Sequence, residues 1–269
     1  MSDRNAFQLP PSAALTAEEV LSVRHWNDRL FSFSITRPRS FRFRSGEFVM
    51  IGLPVDGRPL LRAYSLASPA WAETLDFLSI KVPDGPLTSR LQKVRPGDHL
   101  FLGRKPTGTL VLDALRPGRR LFLLATGTGL APFLSLIRDP DVYERFAEVV
   151  LVHCVRQVGD LAHRAELESL LAGDPLVRDQ ALVQLDYVPT VTREPFRTTG
   201  RIDALHDSGA LFSPRVTGPR RFDPADDRVM LCGGMAMIRD FARRLDAMGF
   251  AEGSNAQPGD YVIERAFVA

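Results

Sequence analysis

The chain lacks most of the features that mark membrane, secreted or cluster-bearing proteins. It has 2 cysteines in 269 residues, Cys154 and Cys232, which is too few for a four-thiolate iron–sulfur cluster or a disulfide framework. The first fifteen residues lack the apolar run of a signal peptide, and no later segment is long and apolar enough to span a bilayer. We therefore expect a soluble protein of the reducing cytoplasm, without a metal site.

An excess of charge of one sign is also missing. A formal net charge of +2 gives no reason to expect nucleic-acid binding. Basic residues are nevertheless dense in two stretches, which either steer an acidic protein partner or form an ordinary solvated face. They are Arg37, Arg39, Arg42 and Arg44, and then Arg90, Lys93, Arg95, Arg104 and Lys105.

The hydrophobic pattern divides the chain near residue 117. Residues 1–15 are expected to form a mobile leader. Residues 16–117 contain short alternating or β-branched runs, such as 31–35, 48–51 and 75–82, separated by turn residues. This spacing predicts an antiparallel barrel or sandwich, with one helix from Leu87 towards Lys93.

Residues 118–269 alternate buried strands with helices, which predicts a doubly wound α/β domain with a parallel sheet. The predicted helices are one that ends at Leu136, one near 162–171 and one at 235–248. The predicted strands are 121–125, 149–155, 182–188, 228–232 and 261–264.

Two segments of the first domain have the chemistry of a flavin site. Arg62-Ala63-Tyr64-Ser65 offers a cation, an aromatic face and a hydroxyl, and strand alternation places Arg62 and Tyr64 on one face. The 81–89 segment is a strand end, a glycine turn and a helix start, a combination that binds phosphate. Its candidate residues are Lys81, Val82, Gly85, Leu87, Thr88 and Ser89. A plain strand and a capped helix remain the alternatives.

The second domain opens with a candidate nucleotide site. A buried strand ends in a glycine loop that leads into a helix, a geometry that brings backbone close to a diphosphate. Its residues are Thr126, Gly127, Thr128, Gly129 and Pro132. Arg156, where NAD-selective sites commonly have a carboxylate, favours a 2′-phosphate and so NADP(H). Each feature also has a plain reading, as a strand–helix turn or a surface arginine.

These motifs, in this order, resemble those of the ferredoxin–NADP+ reductase family, especially its bacterial short-chain branch, from about Val20 onwards. The resemblance implies non-covalently bound FAD. Arg62 would contact its pyrophosphate, Tyr64 would stack on the isoalloxazine, Ser65 would lie beside N5, and the 82–89 segment would form a second flavin-phosphate motif.

The same resemblance assigns roles in the second domain. The 126–132 loop would bind the NADP pyrophosphate, and Arg193 and Arg201 would hold the 2′-phosphate and adenosine. Cys232, Gly233 and Gly234 would lie beside the site of hydride transfer, Glu264 near the flavin, and Ala266 in contact with FAD. Many relatives end on an aromatic residue, whereas Phe267 is not terminal here, which leaves open which tail residue covers the ring.

The implied function is reversible electron transfer between NADP(H) and a one-electron carrier through FAD. Because the chain cannot hold its own cluster, the carrier is expected to be a separate ferredoxin or flavodoxin, and the enzyme a cytoplasmic monomer. Two other functions stay open: a stand-alone flavin or oxygenase-system reductase on the same fold, and a non-catalytic flavin-binding regulatory subunit.

Overall fold

The first half of the chain forms one antiparallel sheet. The computed structural model describes residues 14–212 and 215–264, so nearly all of the predicted leader, together with Ala266 and Phe267, lies outside the described residues. Six strands pair in the order β4-β3-β6-β1-β2-β5. They are β1 (Leu15–His25), β2 (Leu30–Thr36), β3 (Phe48–Val55), β4 (Arg58–Ser65), β5 (Thr74–Ile80) and β6 (His99–Gly103).

Alternation along β2 shows why this sheet has one buried face. Phe31, Phe33 and Ile35 are at most 2% exposed, and the serines between them face the other way, as the two-residue period of a strand requires. The outer strands β4 and β5 approach each other just beyond β4, where Ala67 N donates to Asp76 O at 2.8 Å. The sheet therefore curls into a barrel around an aromatic core, as expected.

The predicted helix of this domain is a single turn, α1 (Thr88–Leu91). Leu91 is fully buried and attaches the turn to the barrel core.

The second half forms a parallel sheet of five strands, in the order β11-β10-β7-β8-β9. The strands are β7 (Arg120–Thr126), β8 (Glu148–Val155), β9 (Leu185–Val191), β10 (Asp227–Cys232) and β11 (Tyr261–Ile263). The helices are α2 (Ala131–Leu136), α3 (Pro140–Arg145), α4 (Arg164–Glu168), α5 (Arg178–Gln184), α6 (Ile202–Asp207) and α7 (Met235–Ala247).

The central strand β7 explains the continuous apolar run seen in the sequence. Leu121 and Leu123 belong to one apolar cluster, and Phe122 and Leu124 belong to a second cluster on the opposite face. Since β8 lies on one side of β7 and β10 on the other, the chain changes its winding direction here. The carboxyl ends of β7 and β10 form the kind of crevice in which open α/β sheets bind ligands.

Two predicted elements are wrong in their limits. The strand expected at 182–188 begins only at Leu185, because residues up to Gln184 belong to α5, which turns Leu182 and Val183 towards solvent at 61% and 75% exposure. The helix expected near 162–171 covers only Arg164–Glu168. Beyond it, Leu170 and Leu171 adopt φ of 50° and 57°, in the left-handed region that ends a helix.

The barrel packs against the segment that follows β7. Leu30, Ala67 and Leu78 of the barrel belong to the same buried cluster as Leu130 and Phe133, which follow β7. Among residues 14–212 and 215–264, no helix is long and apolar enough to cross a membrane.

Candidate functional site

Two glycine segments meet at the carboxyl ends of β7 and β10. A Cβ added to Gly129 would lie 2.3 Å from the carbonyl oxygen of Cys232, and one added to Gly233 would lie 2.0 Å from Thr126 Oγ1. Gly234 N donates to that same hydroxyl at 2.7 Å. Glycine is therefore required for close backbone approach, and the predicted residues of the two segments form one site.

The outer side of the first loop is open. Gly127 has φ of +55°, and no atom lies within 4 Å of a Cβ built there. Thr128 is half-buried beside it, and Pro132 occupies the first turn of α2. An exposed backbone loop that leads into a helix is suited to an anionic diphosphate.

A residue that the sequence reasoning missed supports this loop from below. His153 on β8 is 1% exposed, with Nε2 3.2 Å from Gly127 O and Nδ1 3.3 Å from the Tyr187 hydroxyl. Burial lowers the pKa of His153 to about 4, although the Gly127 bond opposes the shift. The neutral ring therefore donates from Nε2 to Gly127 O and accepts from Tyr187. A polar residue inside an otherwise apolar strand was the signal.

The predicted 2′-phosphate arginines gather at the next strand ends. Arg193 N donates to Arg156 O at 3.0 Å, which joins the turns after β9 and β8. Arg201 follows Gly200, whose N donates to Val191 O at 3.2 Å. All three arginines are exposed, and none forms an ion pair with another residue in 14–212 or 215–264. Their guanidinium groups are available to a phosphate.

Cys232 and Glu264 lie side by side at the ends of β10 and β11. Leu231 pairs with Ile263, and Glu264 N donates to Leu231 O at 3.4 Å. Burial, with a smaller contribution from the Glu264 carboxylate, raises the pKa of the Cys232 thiol. The thiol is therefore protonated and neutral near pH 7. Cys154 is a small core residue, and burial raises its pKa to about 11.

Glu264 also contacts the barrel. Thr109 N donates to its Oε2 at 3.3 Å, and a Cβ on Gly108 would lie 2.9 Å from the same oxygen. Phe48 pairs with Thr107 on one side and with Ser65 on the other. Backbone pairing thus leads from the predicted flavin motif to Thr107, and the Glu264 side chain joins the next residues, Gly108 and Thr109, to the end of the parallel sheet.

Within the flavin motif, the four residues differ in access. Arg62 is exposed and donates to Leu61 O at 2.7 Å. Tyr64 is 9% exposed, lies edge-on to Phe77, and its hydroxyl is 3.1 Å from Ser79 Oγ. Burial raises the pKa of this hydroxyl. Tyr64 thus packs in the barrel core, with little free ring surface, and its stacking role stays a prediction. Ala63 and Ser65 are half-buried and buried.

The second flavin segment is a compact turn. Gly85 lies so close to Thr88 that an added Cβ would come 2.2 Å from Thr88 Oγ1. Val82 is exposed, Leu87 is buried and Ser89 is half-buried. Lys81 lies apart from them because its Nζ donates to Asn27 O at 2.6 Å. The phosphate-binding role of this segment also stays a prediction.

The two basic stretches differ in the exposure of their charged side chains. Arg37 is half-buried and donates to Phe41 O, Ala70 O and Ala72 O. Arg44 is exposed and pairs with Glu47. The charged side chains that remain exposed in the second stretch are Arg90, Lys93, Arg95, Arg104 and Lys105.

Two family models match the two halves of the chain. The oxidoreductase FAD-binding domain matches residues 12–111, and the oxidoreductase NAD-binding domain matches residues 123–243. Among solved structures, a ferredoxin NADP+ reductase from Neisseria gonorrhoeae with bound FAD and NADP has a TM-score of 0.84 at 31% identity. The match covers 94% of this chain and 99% of that one.

Curated relatives extend the match over nearly the whole length. Ferredoxin–NADP reductase A of Sorangium cellulosum is 54% identical, covering 94% of this chain and 90% of the relative. Ferredoxin–NADP reductase of Pseudomonas aeruginosa is also 54% identical, covering 94% and 98%. Because the FAD-binding and NAD-binding domain models both match, and relatives at 54% identity cover nearly the whole length, the chain belongs to the ferredoxin–NADP reductase family.

Proposed function

We propose that this protein is an FAD-dependent ferredoxin (flavodoxin)–NADP+ reductase. The observation that carries the proposal is the meeting of the two glycine segments with Glu264, against barrel residues Gly108 and Thr109. A nucleotide end of a parallel sheet and a flavin-type barrel share one edge there. This arrangement suits the transfer of electrons between two bound cofactors.

In the second domain, the backbone of one loop and three arginines bind different parts of NADP(H). The open loop at Gly127 and Thr128 receives the diphosphate, while His153 fixes the loop from below. The 2′-phosphate is held by Arg156, Arg193 and Arg201, whose guanidinium groups suit its geometry. These roles explain a preference for NADPH over NADH.

The donor set of the barrel fits FAD. Arg62 supplies an exposed cation for the pyrophosphate, Tyr64 an aromatic ring and Ser65 a hydroxyl, with the 82–89 segment as a further contact. When bound, FAD exchanges a hydride with NADP(H) and passes electrons singly to a carrier. The protein supplies binding, orientation and exclusion of water.

Cys232 and Glu264 line the place where the nicotinamide enters. Gly233 leaves a small, uncharged surface against which the ring can lie, and the neutral Cys232 thiol is buried behind it. The Glu264 carboxylate is held by Thr109 N, in a position to orient the nicotinamide or to carry a proton.

The exposed basic residues of the barrel, from Arg90 to Lys105, are the proposed docking charges for an acidic ferredoxin or flavodoxin. We further propose that the protein is a monomer and that it is cytoplasmic; the two buried free thiols support only the reducing compartment. The proposed domains are 16–117 and 118–269, because the last strand of the first sheet ends at Gly103 and the first strand of the second begins at Arg120.

One anaerobic titration tests the function. The purified protein should show an oxidised flavin spectrum that NADPH bleaches well before NADH does at equal concentration. The reduced protein should then reduce ferredoxin or flavodoxin faster than free flavin. Failure of NADPH to bleach the flavin would support the regulatory-subunit alternative, and faster reduction of free flavin would support the flavin-reductase alternative.

A further inference from the structure

The β1–β2 turn of the barrel reaches across to the turn that follows Arg156. Asn27 Nδ2 donates to Gly159 O at 2.7 Å and to Asp160 Oδ1 at 3.0 Å. Arg29 donates to both carboxylate oxygens of Asp160, at 3.0 and 3.1 Å, and also contacts Gln157. One domain therefore holds a turn of the other through side chains.

Lys81 supports this contact from behind. Its Nζ donates to Asn27 O at 2.6 Å, and its backbone N donates to Arg29 O at 2.7 Å. The lysine expected at a flavin phosphate thus fixes the turn that carries Asn27 and Arg29. We call Asn27, Arg29, Lys81 and Asp160 the Asp160 clasp.

The clasp connects to the arginines of the 2′-phosphate site through short steps. Asp160 Oδ2 accepts from Gln157 N at 3.3 Å, and Gln157 is the residue after Arg156. Val158 N donates to the Glu194 carboxylate, and Glu194 follows Arg193. Because Arg193 N also donates to Arg156 O, the clasp fixes the backbone on which both arginines stand.

Charge gives the clasp a second effect. Asp160 lies four positions after Arg156, and an uncompensated carboxylate there would repel a phosphate. Arg29 pairs with it, and the Asp160 side chain is only 16% exposed. The clasp therefore both orders the 157–160 turn and neutralises the charge of Asp160, the one carboxylate in that turn.

We propose that Asn27 is a specificity-determining positioning residue for the 2′-phosphate of NADP(H). It acts from the flavin-binding domain, without touching the nucleotide, by fixing the 157–160 turn beneath Arg156 and Arg193. This inference rests on the proposed preference for NADP(H).

Asn27→Ala tests the inference because it removes, without changing charge, the amide whose Nδ2 makes both hydrogen bonds to the 157–160 turn. It also removes the Oδ1 that accepts from Arg29 N at 2.7 Å. The matched control is Asn255→Ala, which removes another asparagine that bridges the two proposed domains, through Nδ2 to Gly108 O at 2.8 Å, away from Arg156. FAD-loaded wild type and both variants are titrated calorimetrically with adenosine 2′,5′-bisphosphate and with 5′-AMP. Asn27→Ala should weaken binding of the bisphosphate roughly tenfold and leave 5′-AMP binding unchanged, whereas Asn255→Ala should change neither.

The outcomes separate the two proposals. If wild type binds both ligands equally, the NADP(H) preference itself fails. If wild type discriminates and Asn27→Ala keeps the wild-type ratio, or if both ligands weaken equally, the clasp has no role in specificity. A change of ratio in Asn255→Ala as large as in Asn27→Ala would also overturn the inference. If Asn27→Ala loses FAD or unfolds, Asn27→Ser, which shortens the side chain but keeps a hydroxyl, provides the same comparison.

Discussion

The two cofactor regions are built from different kinds of contact. At the nucleotide region, glycine backbone and exposed arginines face outward, and their supports lie beneath them, as with His153 under Gly127. At the flavin region, the central ring of the motif, Tyr64, is packed in the core against Phe77. The proposed phosphate contacts therefore lie at the surface of the fold, whereas the proposed flavin contacts include a residue of the barrel core. Substitutions in the two regions should differ accordingly.

The largest effect is expected from Tyr64→Ala, since it removes a core ring. We expect a loss of about 3–5 kcal/mol in the free energy of unfolding, measured by urea unfolding and far-UV circular dichroism, together with reduced FAD content after gel filtration. Tyr64→Phe, which removes only the hydroxyl contact to Ser79, should cost about 1 kcal/mol. Full stability and flavin content in Tyr64→Ala would show that the ring serves neither purpose.

The buried histidine of the nucleotide region should make stability depend on pH. Its folded pKa of about 4 lies below the usual 6.5, so the unfolded chain takes up a proton first as pH falls. Stability from this group is therefore complete above about pH 6.5 and declines towards pH 4, by roughly 3 kcal/mol.

Urea unfolding between pH 7 and pH 4.5 measures this decline against His153→Gln, which keeps a donor for Gly127 O but does not titrate. The wild type should lose stability more steeply than the variant. Parallel curves would mean that His153 carries no such proton linkage.

Gly129→Ala should damage activity rather than flavin binding. The added Cβ would meet the Cys232 carbonyl at 2.3 Å, and backbone cannot give way as a flexible side chain can. We expect kcat/KM for NADPH to fall about 100-fold, with the flavin spectrum retained. Gly173→Ala is the control because a Cβ there meets nothing within 4 Å. Equal activity in the two variants would argue against a functional need for the close approach of Gly129 to the Cys232 carbonyl.

The smallest effect is expected from Arg156→Ala, which removes one of the three arginines proposed to hold the 2′-phosphate. The ratio of kcat/KM for NADPH to that for NADH should fall roughly tenfold, while NADH oxidation is unchanged. Arg178→Ala, another exposed arginine of the domain, should leave the ratio as it is. An unchanged ratio in Arg156→Ala would remove this arginine from the 2′-phosphate site.

A feature of the site could be predicted from the sequence when the residues that form it are adjacent in the chain. The glycine loop at Gly127 and Gly129 could be predicted because a strand end, glycine and a helix start are adjacent in the chain. His153 stood out as a polar residue in an apolar strand, but its contacts could not be predicted, because they depend on β8 pairing with β7 and on Tyr187 from β9. The Asn27–Asp160 contact spans 133 residues and has no local signal.

Secondary structure could likewise be predicted where the local pattern decides it. The alternating strand β2 and the apolar strand β7 agreed with their patterns, whereas the 182–188 strand was placed too early. Leu182 and Val183 have strand propensity, but the end of α5 exposes them, so tertiary context overrode composition.

The bond from Thr109 to Glu264 joins residues 155 positions apart and so has a consequence for biosynthesis. A chain leaving the ribosome can assemble the barrel from nearby segments long before residue 264 is made. Gly108 and Thr109 then lack their contact with Glu264 until the strands of the parallel sheet have been synthesised. The proposed site is therefore complete only after the chain has been made through Glu264, and a nascent chain stalled before β11 would hold a barrel that lacks the Thr109–Glu264 contact.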